Sequence, residues 1–339
     1  MRTGRSAGGA SWLLVAMVVG CASPRAQPAV QLPAPAPLHL APLADLAPAA
    51  GLRWIVDLRP RALFADPSLI TPLAAVLPEA DLDAMKRARG GLDLRSIDDL
   101  VLAGYDGTTV LLAHQVLDPA RVEAAFADRV AEVEGRAVDR GGDDPRATVT
   151  RLWGGHGKTH ETLVVFGREA AGLALGADAP LRATELFAEQ RLHRARPAWQ
   201  APPLDHLAEL LGDAPLRAAA PGPFGREWSA GVGGLLASAT GAGIAARPDG
   251  DALRVRVVLT GPWGDRAADA EARVRRCYED LVDSGLGRLL GLAEPATPPT
   301  FSATPDSVGL EVRIRAEPLL RGIGDATTTQ FEEVMRRPR

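Results

Sequence analysis

Asp99-Leu-Val-Leu-Ala-Gly-Tyr-Asp-Gly-Thr-Thr-Val-Leu-Leu-Ala-His-Gln115 decides the fold class. Two apolar runs flank Asp106-Gly107, a dipeptide that readily takes the positive-φ pair of a type I′ turn. The stretch reads as a β-hairpin, Asp99 to Tyr105 against Thr108 to Gln115. Asp118-Pro119 then opens a helix, with Asp at the N-cap and Pro at the first helical position. Val122, Ala125, Phe126 and Val130 follow at helical spacing and give that helix one apolar face. A hairpin followed by a helix that can cover it points to an α+β protein built on an antiparallel sheet.

Working outward, Leu52 to Leu58 reads as a strand, and residues 61–89 as helical pieces broken near Pro67, Pro72 and Pro78. Ala147–Trp153 and Glu161–Gly167 form a second hairpin, followed by a helix from Pro180. The second half of the chain repeats this order. Gly241–Ala246 and Ala252–Thr260 flank Pro248-Asp249-Gly250, and a helix from Asp265 to Asp283 follows. That helix carries Ala267, Ala270, Val274, Cys277, Tyr278, Leu281 and Val282 on one face. Thr300–Thr304 pairs with Gly309–Ala316, and a helix starts from Pro318. The expected architecture is therefore two copies of a β-α-β-β-α-β-β-α unit, residues 52–195 and 204–335, whose core is the split βαβ arrangement. Trp228 to Ala246 is a stretch of 19 residues without charge. Its five glycines and its hydroxyl residues argue against a membrane span, and it reads as a buried helix, about 226–239, running into a strand.

The N-terminus carries a targeting signal. Arg2 and Arg5 make a positive region, Trp12 to Val19 an apolar run far shorter than a membrane span, and small residues then precede Cys21. Val18-Val19-Gly20-Cys21 resembles the lipobox of bacterial lipoproteins in order, spacing and placement. The resemblance implies cleavage after residue 20, a thioether-linked diacylglycerol on Cys21 and an acylated amine. Ala22, where Asp favours inner-membrane retention in enterobacteria, points toward the outer membrane. Acyl chains of this kind anchor a protein stably without a transmembrane helix. Residues 22–50, with seven prolines and almost no charge, read as an extended tether. The organisation expected is a signal peptide over 1–20, the lipidated cysteine and tether over 21–50, and the two α+β units.

Composition narrows the partners. Losing residues 1–20 removes two arginines and no acids, taking the net charge from −4 to −6. A mildly acidic protein lacks the basic excess of a nucleic-acid binder. An aromatic content of 4% also speaks against stacking platforms for single strands. The 36 arginines among 38 basic residues are scattered between acids, and we read them as compositional bias. Of the two cysteines, Cys21 is used by the lipid, so the exported domain has no disulfide framework and depends on its core.

Motifs that could carry chemistry fail on context. Gly155-His156-Gly157-Lys158-Thr159 looks like the tail of a phosphate loop, but the first glycine is missing and a strand follows where a helix is required. Gly241-x-Gly243-x-x-Ala246 runs into a turn instead of opening a helix, so it reads as a strand. His156 and His160, with Glu161 beside them, sit on a hairpin tip without an identifiable third ligand. Asp98-Asp99, Asp143-Asp144 and Glu332-Glu333 read as caps and turns. Cys277, on an apolar helix face, reads as a small buried hydrophobe. No catalytic, cofactor-binding or metal residue is therefore expected, and Cys21 is the one functional position. The mature domain reads as a non-enzymatic structural or binding module that holds an envelope protein or an apolar ligand. The alternative is an envelope enzyme whose site comes together only in three dimensions. A pocket of clustered buried carboxylates and histidines would mark the enzyme, and an apolar concavity the binder.

Overall fold

The computed structural model describes residues 37–40, 42–133, 135–139, 149–156, 159–225 and 232–325. The hairpin at 99–115 is the centre of the sheet. β1 (Leu52–Leu58), β2 (Asp99–Tyr105) and β3 (Thr108–His114) form an antiparallel meander, with Tyr105 opposite Thr108. β4 (Arg136–Asp139), β5 (Val149–His156), β6 (Thr159–Phe166) and β7 (Ala170–Leu175) complete the first half. β8 (Leu216–Pro221), β9 (Gly241–Asp249), β10 (Ala252–Thr260), β11 (Thr297–Ala303) and β12 (Ser307–Arg315) make up the second. All join one 12-stranded sheet in the order β11-β12-β10-β9-β8-β1-β2-β3-β7-β6-β5-β4. Every pairing in it is antiparallel, including the central seam of β1 on β8. The fold is α+β, with helices packed on a large antiparallel sheet.

Because directly opposed residues share a face, the register separates the two sides of the sheet. One row runs Leu163, Leu173, Leu111, Leu102, Val56, Ala218, Ile244, Val257, Leu310. This face is covered by α4 (Pro119–Glu132) in the first half and α7 (Ala267–Asp283) in the second. α1 (Pro60–Ala65), α2 (Ile70–Val76), α8 (Gly285–Leu289) and helical residues 316–325 gather at its far side, where Leu69 packs with Leu253, Val312 and Leu319. The opposite face, with Ile55, Val101, Leu112 and Phe166, is covered by α5 (Ala179–Ala188) and α6 (Leu204–Leu211). Gly243 in β9 lets α6 lie close. A Cβ there would stand 2.8 Å from Leu211 Cδ1.

The structure changes several sequence expectations. The tether does not extend to residue 50. Leu40, Leu43, Leu46 and Ala47 are buried in the main core, residues Leu43–Leu46 form a 3-10 turn, and Tyr105 Oη donates to the Pro48 carbonyl. A leucine every few residues outweighs the prolines here, and Pro35–Arg339 forms one compact unit. Residues 52–195 and 204–335 share its single sheet. β4, β7 and β8 are strands that the sequence reading did not place, and β7, rather than β5 or β6, lies beside β3. Residues Val232–Ala237 are 3-10 turns interrupted by Gly233 and Gly234 at positive φ, not a helix, and the residues before them are outside the described set. Pro72 sits in the first turn of α2 instead of breaking it, where its missing N–H forfeits no helical bond. Neither Asp-Gly turn is type I′. Gly107 has positive φ and Asp106 does not, while in the second hairpin Asp249 pairs with Ala252 and Gly250-Asp251 is the loop. Asp118 stands at the N-cap of α4 as expected, without a side-chain bond to the helix.

Candidate ligand-binding pocket

A cavity of about 420 Å³ lies between the sheet and α4 in the first half. Its floor is the outward side of β2, β3 and β7, contributed by Leu100, Leu102, Leu111 and Leu173. Its roof is α4 through Val122, Ala125 and Phe126, and its side wall is the end of α3 (Glu79–Ala88) through Met85 and Ala88. The volume falls in the range of small-molecule sites. The polar side chains among the lining residues are Thr109, Arg89 and Arg129.

Two local devices hold the cavity open. Gly90, at φ +67°, ends α3 directly against the first turn of α4; a Cβ there would stand 2.4 Å from the Arg121 carbonyl oxygen. α3 and α4 are thereby pinned at one corner, while small residues (Ala88, Ala113, Ala125, Ala171) leave the space behind it unfilled. The second device is a polar clamp below α3. Asp93 accepts from Arg95 Nε at 2.9 Å and from Lys86 Nζ at 3.1 Å, and Arg95 also reaches Asp83 at 2.6 Å. Gln115 accepts from the Asp93 N–H and donates to the Gly91 carbonyl, fastening the α3–β2 connection to the end of β3. Hydrogen bonds from the Arg95 guanidinium hold the Asp93 carboxyl at about 2, against an ordinary 3.8.

The two arginines of the lining differ. Arg129 is ion-paired with Glu161 and lies 5.5 Å from the centre of the Phe126 ring. Arg89 is exposed, and among the described residues its guanidinium has no ion-pair or hydrogen-bond partner.

The residues singled out from sequence fall elsewhere. Cys21, Lys158, the Asp143-Asp144 pair and the Glu332-Glu333 pair lie outside the described residues. His156 ends β5 opposite Thr159, and the strand read after Thr159 is β6. His160 is exposed, with its ring 5.5 Å from that of Trp153, and Glu161 is taken by Arg129. Among the described residues no group of three or more His, Cys, Asp or Glu could hold a metal ion. Asp98 bridges to Arg61 at 2.6 Å. Asp99 lies on the sheet face opposite the pocket, opposed to His114. Its carboxyl is raised, first by burial and then by the neighbouring Asp57, which Arg217 neutralises at 2.5 Å. Cys277 is half-buried, and burial raises its thiol. Among the described residues no helix is long and apolar enough to cross a membrane.

The pocket itself was not read from the sequence. Its signal is present in β2 and β3, whose apolar residues are continuous instead of alternating, the mark of strands covered on both faces.

No family model matches this chain, and no curated protein does. The chain is similar to solved structures of the protein TP0453. Crystal form I has 12% identity and a TM-score of 0.48 over 86% of this chain and 98% of that one. Crystal form III has 12% identity and a TM-score of 0.49 over 85% and 99%. Crystal form IV has 9% identity and a TM-score of 0.47 over 83% and 98%.

Proposed function

We propose that this chain is a lipid-anchored protein of the bacterial cell envelope, held on the periplasmic face of the outer membrane through Cys21, and that it is a non-enzymatic binding module for an apolar ligand. The observation that carries the binding reading is the pocket under α4. It is concave, of ligand size, and lined almost wholly by leucine, alanine, valine, methionine and phenylalanine side chains. The buried carboxylate Asp57 and its neighbour Asp99 lie across the sheet from it, and among the described residues that line the pocket there is no pair of carboxylates or histidines suited to acid–base chemistry. An apolar ligand gains here by leaving water, at roughly 25 cal/mol per Å² of apolar surface buried.

Duplication belongs to the same reading. Outward from the seam, β1-β2-β3-β7-β6 mirrors β8-β9-β10-β12-β11, and α4 and α7 follow the inner hairpins. This order supports two copies of one unit, of which the first gained β4 and β5 and kept the hollow.

The test uses the full-length chain and the uncharged fluorophore N-phenylnaphthylamine. Wild type should bind it with blue-shifted emission. Ala125→Trp, which places an indole inside the cavity, should abolish binding while leaving the unfolding midpoint nearly unchanged. Binding that survives Ala125→Trp with the fold intact refutes the assignment of the site. For the anchor, wild type should partition with membranes and carry acyl mass on Cys21, and Cys21→Ala should do neither. Equal retention of both, with no acyl mass on wild type, refutes the anchor.

A further inference from the structure

Building on the apolar-pocket reading, we infer that the ligand is a single aliphatic chain with a monovalent anionic head, a fatty carboxylate, and that Arg89 selects the head. Three observations converge. The charged side chains lining the pocket are both cationic, Arg89 and Arg129. Glu161 neutralises Arg129, whereas Arg89 has no partner among the described residues, so the lining carries one uncompensated positive charge. The cavity, at about 420 Å³, lies near the small end of ligand sites, which suits one chain and not two.

Geometry places the charge at the edge and not in the interior. Arg89 is the C-cap of α3, it is exposed, and it stands next to the Gly90 corner where α3 meets α4. Arg121, whose carbonyl meets that corner, places its guanidinium carbon within 3.9 Å of where a Cβ on Gly91 would stand, adding positive potential on the same side. A chain lying on Leu102, Leu111 and Leu173 under Ala125 thus has its hydrated end at the guanidinium. Arginine suits that end, since its planar fork matches both oxygens of a carboxylate. No bond to the ligand is made or broken.

The experiment compares lauric acid with dodecanol, which share the chain and differ in the head. Each displaces N-phenylnaphthylamine from the full-length chain carrying Cys21→Ala, so that no covalent acyl group competes. At neutral pH and low salt the acid should bind about three- to fivefold tighter than the alcohol, the size of an exposed charge pair, and added salt should shrink the difference. Arg89→Gln should erase the preference without weakening dodecanol, and Arg89→Lys should keep most of it. Equal affinities in the Cys21→Ala chain with Arg89 intact, or a preference that survives Arg89→Gln, overturn the inference and leave the apolar pocket standing. Failure of both compounds to bind the Cys21→Ala chain with Arg89 intact overturns the pocket reading as well.

Discussion

α4 and α7 lie on the same face of one sheet, each after an inner hairpin, yet one roofs a hollow and the other a filled core. Under α7 the space is taken by large side chains. Trp263, Leu235, Leu236 and Val308 are buried there, and the Tyr278 and Phe301 rings meet edge to face with centres 6.1 Å apart. Under α4 the corresponding space is lined by leucines on the strands and by Met85, Val122 and Phe126 on the helices, with Ala88 and Ala125 between them too short to fill it. The backbone arrangement is compatible with either outcome. Side-chain volume decides whether a sheet–helix interface becomes a core or a site, because interiors otherwise pack to crystal-like density.

The contrast is tested most severely by emptying the filled side. Trp263→Ala should cost about 3 to 5 kcal/mol in chemical denaturation, the usual penalty for removing a buried indole. Phe126→Ala, in the roof of the hollow, should cost less, since one side of that ring already lacks neighbours. Equal costs would remove the distinction between the two interfaces.

Filling each side should have opposite signs. Ala125→Leu extends into the cavity and should raise stability by about 0.5 to 2 kcal/mol. Ala270→Leu, at a position 3% exposed on the buried face of α7, should lower it by about 1 to 3 kcal/mol through overpacking. Destabilisation by Ala125→Leu would show that the hollow closes in solution.

A smaller effect concerns the clamp that ties α3 to the connection before β2. The Asp93 carboxyl is depressed to about 2, so its contribution is fully present above the ordinary value of 3.8 and is lost as pH falls toward 2. Fluorophore binding and stability should both decline across that window, and Asp93→Asn should flatten that part of the profile by losing the contribution at every pH. An unchanged acid limb in the variant would dissociate the clamp from the pocket. The least effect is at Cys277 on the filled side. Half-buried and raised by burial, its thiol should react with maleimide more slowly than a free cysteine at the same pH, and at the free rate after denaturation.

Where one segment contains its own instructions, sequence and structure agree. The 99–115 hairpin, β1 and the register of Val122, Phe126 and Val130 in α4 follow from local alternation and helical spacing. Disagreement appears where neighbours override local preference. Ala170–Leu175 has little β-branching, yet it is a central strand because β3 and β6 hydrogen-bond both its edges. Leu40 and Leu43 lie in a proline-rich run that looks extended until the core offers them a place. The pocket was least legible, since its walls come from α3, α4 and four strands and it exists only as the volume their side chains fail to fill.

The seam of β1 against β8 bears on how the chain is made. Ile55 through Leu58 pair with Leu216 through Ala219, partners that lie far along the sequence. A chain emerging from its N-terminus completes β2, β3, α4 and β7 while β1 still shows an open hydrogen-bonding edge. Contacts of such long sequence separation form late, after a large loop-closure entropy has been met. A product that stops short of β8 therefore exposes a strand from the middle of the sheet and leaves Asp57 without Arg217. Until β8 arrives, that edge is open to a strand of another molecule, so the seam ties closure of the sheet to completion of the chain.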